Sequence, residues 1–390
     1  MAWFIGLMSG TSLDGVDGVL AQDEGHTDGH TDGHPEGQTD SSSALQSRGH
    51  AHLAFAPGLR EELLQLNRSG HDELHRAALA ANALVGVYAD VVLRLLASAG
   101  LQPADVSAIG AHGQTVRHRP GEFDGRGYTV QLMNGALLAE LTGIDVVCDF
   151  RSRDVAAGGQ GAPLVPAFHA ACFARPGQDI AVLNLGGIAN LTLLRADDPV
   201  LGFDTGPGNL LMDLWCHRHR GTAYDAGGRW AASGRVDEAL LQSMLAEPYF
   251  ARLPPKSTGR DLFDAAWLDR QLALQPGHAA VAPANVMATL TELTARSVVQ
   301  ALQQLAAGTT ELLVCGGGAF NTLLLSRVAA LLGTSVRVYS TEAAGVRPDQ
   351  VEALAFAWLA SAFVSRRAGN LPAVTGAAGP RVLGALYPSG

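Results

Sequence analysis

At 390 residues the chain exceeds what a single hydrophobic core organises, so two or three domains are expected. With 47% hydrophobic and 16% charged residues, disorder is excluded for its bulk. Its 27 basic and 37 acidic residues leave a net charge of −10, which argues against a protein built to grip nucleic acid or anionic lipid through a basic face.

Residues 3–8 read as a strand, then a Gly/Ser/Thr turn, then a second strand at 16–21. Residues 23–50 hold a Gly-His-Thr-Asp repeat and a serine cluster with almost nothing to bury, and are expected to form a disordered loop. A third strand follows at 52–56, helices at 59–66 and 72–99, a strand at 106–111, a helix at 136–141 and a strand at 145–148. The Gly-rich run 156–163 is the expected crossing between domains, which sets them at 1–155 and 156–390, with the final tail returning to the first. After it the plan restarts: strands at 180–185, 190–194 and 200–203, a helix from about 209, helices near 236–246, 261–272 and 284–307, a strand at 312–315, another near 336 and a last helix from 351. Two halves that open alike point to a duplicated α/β architecture with a ligand cleft between them.

Lys256 is the only lysine, and it follows a proline. A Walker A loop and the strand lysine of a protein kinase are both therefore absent. Cys148, Cys172, Cys216 and Cys315 are scattered without a C-x-x-C pair, which suits reduced thiols and a cytoplasmic address. The opening Met-Ala-Trp-Phe-Ile-Gly has no basic n-region, and the apolar stretch 77–101 is interrupted by Asn82, Asp90 and Arg94, so neither a signal peptide nor a membrane span is expected.

Four Gly-rich motifs carry candidate chemistry. In Ser9-Gly10-Thr11-Ser12-Leu13-Asp14-Gly15-Val16-Asp17, small and hydroxylated residues let backbone N–H groups converge on a phosphate, and Asp14 or Asp17 could hold magnesium through water; a hairpin turn is the structural alternative. Asn184-Leu185-Gly186-Gly187 occupies the matching place in the second half. In Gly202-Phe203-Asp204-Thr205-Gly206-Pro207-Gly208-Asn209, a carboxylate at a strand end before a helix is either a general base beside an anion or a cap. Cys315-Gly316-Gly317-Gly318 is either a close approach of backbone to adenine or ribose, or tight helix–strand packing. Arg151 and Arg153 offer carboxylate-matching forks near the expected crossing, His112 ends a strand, and Glu352 stands in the first turn of the last helix, where it also suits the helix dipole. His71-Asp72-Glu73-Leu74-His75 has its carboxylates at the wrong offsets for a zinc protease. The repeat histidines His26, His30 and His34 are read as adventitious chelators at most.

Taken in order, G-L-M-S-G-T-S-L-D-G-V-D, A-H-G-Q-T, D-F-R-S-R-D-V-A-A-G-G-Q-G-A-P-L-V-P, N-L-G-G-I-A-N, G-F-D-T-G-P-G-N, P-K-S-T-G-R and C-G-G-G-A-F-N closely resemble the anhydro-N-acetylmuramic acid kinase family of the actin-like sugar-kinase superfamily. The match runs from Phe4 to Tyr387 apart from the repeat loop. The resemblance implies a duplicated actin-like (ribonuclease H-like) fold and a cytoplasmic enzyme of cell-wall sugar recycling. Such an enzyme uses ATP and Mg²⁺ to convert 1,6-anhydro-N-acetylmuramic acid to N-acetylmuramic acid 6-phosphate, and a homodimer is implied as well. Carried over by motif, residues 10–17 bind ATP; the Gly-rich loops read above add Gly186, Gly187, Gly206, Gly208, Gly316, Gly317 and Gly318 to the expected ATP site. Asp204 becomes the catalytic base and Glu352 a second substrate-contacting carboxylate, with Arg151, Arg153 and His112 also on the substrate. The rivals are another small-sugar or acyl-phosphate kinase of this fold, and an actin- or chaperone-like ATPase.

Overall fold

The computed structural model describes residues 1–10, 12–23, 45–260, 262–274 and 281–390. Backbone contacts divide it into two units, Met1–Cys172 with Gln350–Gly390, and Phe173–Asp349. The division thus falls at 172/173, not at 155/156. The Gly-rich run is bound into the first unit by Asp154, which is fully buried: its carboxylate accepts from the Gly161 N–H at 2.7 Å, Asn370 Nδ2 at 2.7 Å and Thr375 Oγ1 at 2.8 Å. Buried carboxylates persist when hydrogen-bonded in this way.

In the first unit, β1 (Ala2–Met8), β2 (Gly15–Asp23) and β3 (Leu45–Ala54) form an antiparallel meander; β4 (Val106–Ala111) then pairs parallel with β1. A hairpin of β5 (Gln114–Pro120) and β6 (Gly127–Leu132), which the hydrophobic pattern did not reveal, stands apart as its own two-stranded sheet. β7 (Val146–Cys148) pairs parallel with β4, and the late strand Ala385–Tyr387 lies antiparallel along its outer edge. Residues 45–50, assigned from sequence to the repeat loop, are strand, as is Asp23. Leu45, Ser47, Gly49, Ala51 and Leu53 alternate with more exposed partners at the period of two that a strand requires. Of the expected loop, residues 24–44 lie outside the described residues.

Helix Glu73–Ala99 is apolar and long enough to cross a membrane, with a mean hydropathy of 1.7 over its most apolar stretch. Here it covers one face of the sheet, burying Leu84, Val85, Tyr88, Val91, Val92 and Leu95, while Asn82, Asp90 and Arg94 point outward. The other face receives helix Val351–Val364, and the reason is steric. Gly6 and Gly110 face each other across β1 and β4, and a Cβ at either would come within 2.0 Å of the helix backbone, at Ala353 O and Phe356 O respectively. Two glycines in register make a seat on which an alanine-rich helix rests backbone to backbone.

In the second unit, β8 (Ile180–Leu185), β9 (Ile188–Leu194) and β10 (Leu201–Pro207) form the meander; β11 (Glu311–Cys315) pairs parallel with β8 and β12 (Arg337–Ser340) parallel with β11. Helix Pro283–Leu305 buries Leu290, Leu293 and Val298 in a core with Leu183, Leu191, Phe203 and Trp215. The five principal strands of the units share one order and one set of senses: third, second, first, fourth, fifth, with the last two parallel to the first. This is the duplicated ribonuclease H-like plan expected from the resemblance.

Candidate active site

Each unit carries its functional loops at the C-terminal ends of its parallel strands, where α/β sheets of this kind bind ligands. In the first unit the turn after β1 is pinned from below. The Ser9 hydroxyl donates to the Gly113 carbonyl at 3.0 Å and meets the Tyr88 hydroxyl at 2.9 Å, while Gln114 Nε2 donates to Gly10 O at 3.2 Å. Ser12 and Asp14 are exposed at the rim, the Ser12 hydroxyl donating to Asp14 Oδ1 at 2.7 Å. Leu13 turns its side chain into the core from a left-handed backbone, and Val16 is wholly buried. A Cβ on Gly15 would strike the Leu53 carbonyl at 2.3 Å. The side-chain positions of 13, 15 and 16 therefore serve packing, which leaves Gly10, Ser12 and Asp14 facing outward. Thr11 lies outside the described residues. Asp17, on β2, shares its Oδ1 with His50 and His52, each at 3.1 Å.

Three of the four expected substrate residues converge in this unit. His112, buried at the end of β4, accepts at Nε2 from Arg151, whose Nη2 lies 2.9 Å and Nε 3.3 Å away. The ring proton must then sit on Nδ1, which donates to the Ser9 carbonyl at 3.2 Å. Burial, reinforced by the Arg151 charge, pushes the imidazole down to about 3, so it is neutral. Burial also takes Arg151 down to about 10, opposed first by the charge of Glu352 and then by that of Asp154. Glu352 reaches this group because its helix sits on the Gly6–Gly110 seat; four residues on, the Phe356 ring lies 4.9 Å from that of His112. Arg153, by contrast, is exposed on the short helix Ser152–Ala156.

In the second unit the glycines separate into two kinds. A Cβ at Gly208 would meet Gly186 O at 2.3 Å, at Gly316 the Asn184 Oδ1 at 2.3 Å, at Gly318 the Leu185 Cβ at 2.6 Å, and at Gly206 the Phe250 ring at 2.6 Å. Those four are needed to let three loops pack on one another. Gly186, Gly187 and Gly317 have nothing closer than 3.5 Å, so packing alone does not require glycine there. Bare backbone beside open space suits close approach of a phosphate or ribose. Of the two readings of residues 315–318, packing thus accounts for the glycines at 316 and 318, while Gly317 is left uncrowded.

Asp204 sits on β10 where the register with β9 slips between Asp204 and Gly206. Such a bulge re-aims side chains beside functional sites. Asp204 is not a helix cap, because the next helix, Leu210–Arg220, starts at Asn209 with no side-chain cap bond. Its carboxylate instead accepts at Oδ2 from the Thr258 N–H at 3.0 Å, and no donor among the described residues reaches Oδ1. The backbone is clamped as well: Asp204 N–H donates to Lys256 O at 3.2 Å, and the Tyr249 hydroxyl donates to Asp204 O at 2.8 Å. Burial raises the acid to about 6, with the Thr258 N–H and the Lys256 charge pulling the other way. Lys256 itself rests over the Tyr249 ring, 4.9 Å from its centroid. Asp213, one turn into the following helix, is raised by burial to about 7 against the Arg260 charge.

Sequence reasoning assigned no role to Tyr249, Lys256, Thr258 or Asp213. Two signals were available, the sole lysine of the chain and the P-K-S-T-G-R run around it.

A family model described as anhydro-N-acetylmuramic acid kinase matches residues 2–389. The chain belongs to the anhydro-N-acetylmuramic acid kinase family. It is 59% identical over 387 residues to the anhydro-N-acetylmuramic acid kinase of Bordetella petrii, covering 99% of this chain and 96% of that one. It is 56% identical over 391 residues to that of Variovorax paradoxus, covering 99% of both. A ROK family glucokinase from Streptomyces griseus in complex with glucose and AMPPNP aligns at 14% identity over 92% of this chain and 99% of that one, with a TM-score of 0.38, a likeness too slight to argue from. As a member of the anhydro-N-acetylmuramic acid kinase family, the chain is a phosphotransferase with an alcohol group as acceptor.

Proposed function

We propose that the chain opens the 1,6-anhydro bond of 1,6-anhydro-N-acetylmuramic acid with water and phosphorylates O6 from ATP, giving N-acetylmuramic acid 6-phosphate and ADP, with Asp204 as the base. One observation carries the assignment of the base. Asp204 is a largely buried carboxylate whose Oδ2 is held by a backbone N–H while no donor among the described residues reaches Oδ1, and its basicity is raised toward neutral pH. The acceptor oxygen explains why a base must act on water. O6 is tied to C1 as an ether and carries no proton to remove. Water attacks C1 as Asp204 takes its proton, the C1–O6 bond breaks, and O6 is freed to bond the γ-phosphorus as ADP departs.

ATP is read onto the bare backbone at Gly186, Gly187 and Gly317 and onto the Gly10–Asp14 rim, which a Cβ does not crowd. Of the two acids considered for magnesium, Asp14 fits better, since the Asp17 carboxylate is shared by two histidines. A magnesium ion arriving with the nucleotide would neutralise charge on the β- and γ-phosphates. Neutral His112, Arg151 and Glu352 form one polar group in the first unit, and we assign it to the sugar. Arg151 is the cation of the group, held by Nε and Nη2 on His112 and by Nη1 on the Gly161 carbonyl, and its charge, with the terminal N–H groups these bonds leave over, is what we assign to the lactyl carboxylate. A cytoplasmic address is in keeping with four free cysteines.

Mass spectrometry of the product formed from ATP, Mg²⁺ and the anhydro sugar in ¹⁸O-water tests the scheme. The expected result is a 6-phosphate with the label on C1. Label in the phosphate, preferential phosphorylation of free N-acetylglucosamine or glucose, or ATP hydrolysis indifferent to sugar would each overturn it.

A further inference from the structure

The segment that clamps Asp204 contains a polar group with no function yet. Thr258 donates its N–H to Asp204 Oδ2, and its own hydroxyl oxygen is buried without a hydrogen-bond partner among the described residues. Burying a hydroxyl without a partner is unfavourable, since the group gives up its bonds to water and gains none. A valine would fill the same space without that cost. A hydroxyl kept at such a place points to a small polar ligand that is present only when the site works.

The surroundings say which ligand. Residues 256–258 run beside the β10 bulge, joined to it by Asp204 N–H to Lys256 O and by Thr258 N–H to Asp204 Oδ2, so the Thr258 side chain branches from the residue that touches the base. Aromatic side chains border this segment, with Tyr249, Phe250 and Phe203 near Lys256 and Asp204. Two cations border it: the Lys256 ammonium, which lies between the Phe250 carbonyl at 3.4 Å and the Tyr249 face, and the Arg252 guanidinium, 5.9 Å from the centroid of the same ring.

We infer that the Thr258 hydroxyl is the second hydrogen-bond partner of the water that Asp204 activates, which makes Thr258 a catalytic residue. The inference rests on the reaction proposed above. A water held by Asp204 Oδ1 through one hydrogen and by Thr258 Oγ1 through the other has its lone pair aimed, not free to rotate. In the step itself the water oxygen bonds C1, one water proton passes to Asp204, the C1–O6 bond breaks, and O6 bonds phosphorus as ADP leaves. The hydrogen directed at Thr258 stays on the new C1 hydroxyl. No proton is left over.

The test compares Thr258→Val and Thr258→Ser with the unaltered enzyme and with Asp204→Asn, measuring kcat, KM for both substrates, and Tm. Thr258→Val should lower kcat about 10- to 100-fold, in line with loss of one positioned hydrogen bond. It should also leave KM for ATP within about twofold and keep Tm level or higher, since the valine replaces an unsatisfied hydroxyl. Thr258→Ser, which restores the oxygen, should recover kcat to within a few-fold. A Thr258→Val enzyme with unchanged kcat would overturn the inference. So would one that loses kcat and Tm together and is not rescued by serine, which is the mark of a structural role. Turnover retained in Asp204→Asn would instead strike the underlying reaction, whatever Thr258→Val does.

Discussion

Arg151 donates to Nε2 of His112 from two of its nitrogens, at 2.9 and 3.3 Å, and thereby leaves the ring only one proton, on Nδ1, which goes to the Ser9 carbonyl. The chain from Arg151 through His112 to Ser9 links the end of β7 to the turn after β1, so the group assigned to the sugar also braces the turn assigned to the nucleotide.

Arg151→Met should therefore do two things. It removes the donor to a buried imidazole and to the Gly161 carbonyl at 2.8 Å, which we expect to cost about 2–4 kcal/mol and to lower Tm measurably. Loss of the guanidinium should also raise KM for the carboxylated sugar more than KM for ATP. Equal effects on the two KM values would remove Arg151 from the sugar site. Arg151→Lys should rescue poorly, since a point charge cannot replace the fork.

The pH dependence should belong to Asp204. A base must be unprotonated, so kcat/KM for the anhydro sugar should rise with pH through about 6 and then level. His112, held near 3, contributes no limb between pH 5 and 8. Asp213→Asn should leave the midpoint where it is; a midpoint that moves with Asp213 and not with the Asp204 surroundings would overturn the assignment.

The same carboxyl has a stability consequence of opposite sign. Its folded value lies above its unfolded one, so the folded protein holds the proton more tightly and loses stability as pH rises from about 4 through 6. Asp204→Asn should then be inactive yet about 1–2 kcal/mol more stable than the parent at pH 8, with the gap narrowing toward pH 4. Urea unfolding at the two pH values checks it, and a gap that widens toward pH 4 would count against a carboxylate whose proton affinity is raised by burial.

Two glycine substitutions separate the fold from the nucleotide. Gly208→Ala forces a Cβ to within 2.3 Å of the Gly186 carbonyl and should lower stability by several kcal/mol, on the order of other overpacking changes. Gly187→Ala meets nothing nearer than 4.0 Å and should leave Tm within about 1 °C while raising KM for ATP several-fold. Unchanged ATP binding in a well-folded Gly187→Ala protein would take that loop out of the nucleotide site.

Much of this protein could be read from residue order alone. The two strand meanders, the long helices, the phosphate-type turns and the family resemblance all rest on local periodicity and short motifs, because period-two burial and glycine requirements act over a few neighbouring residues. Three matters depended on distance in space between residues far apart in the chain. One is that the Gly-rich run is held to the first unit by Asp154, Asn370 and Thr375, contacts more than 200 residues apart in sequence for the last two. Another is that Gly6 and Gly110 seat the helix bearing Glu352, since a glycine's meaning lies in what would meet its absent side chain. The third is the setting of Asp204, which does not cap the next helix: its carboxylate is held by Thr258, 54 residues away, in a burial that no linear pattern encodes. Local physics writes itself into neighbouring residues. Burial and long-range hydrogen bonding arise only when the chain has closed on itself, and those two set the chemistry of the site.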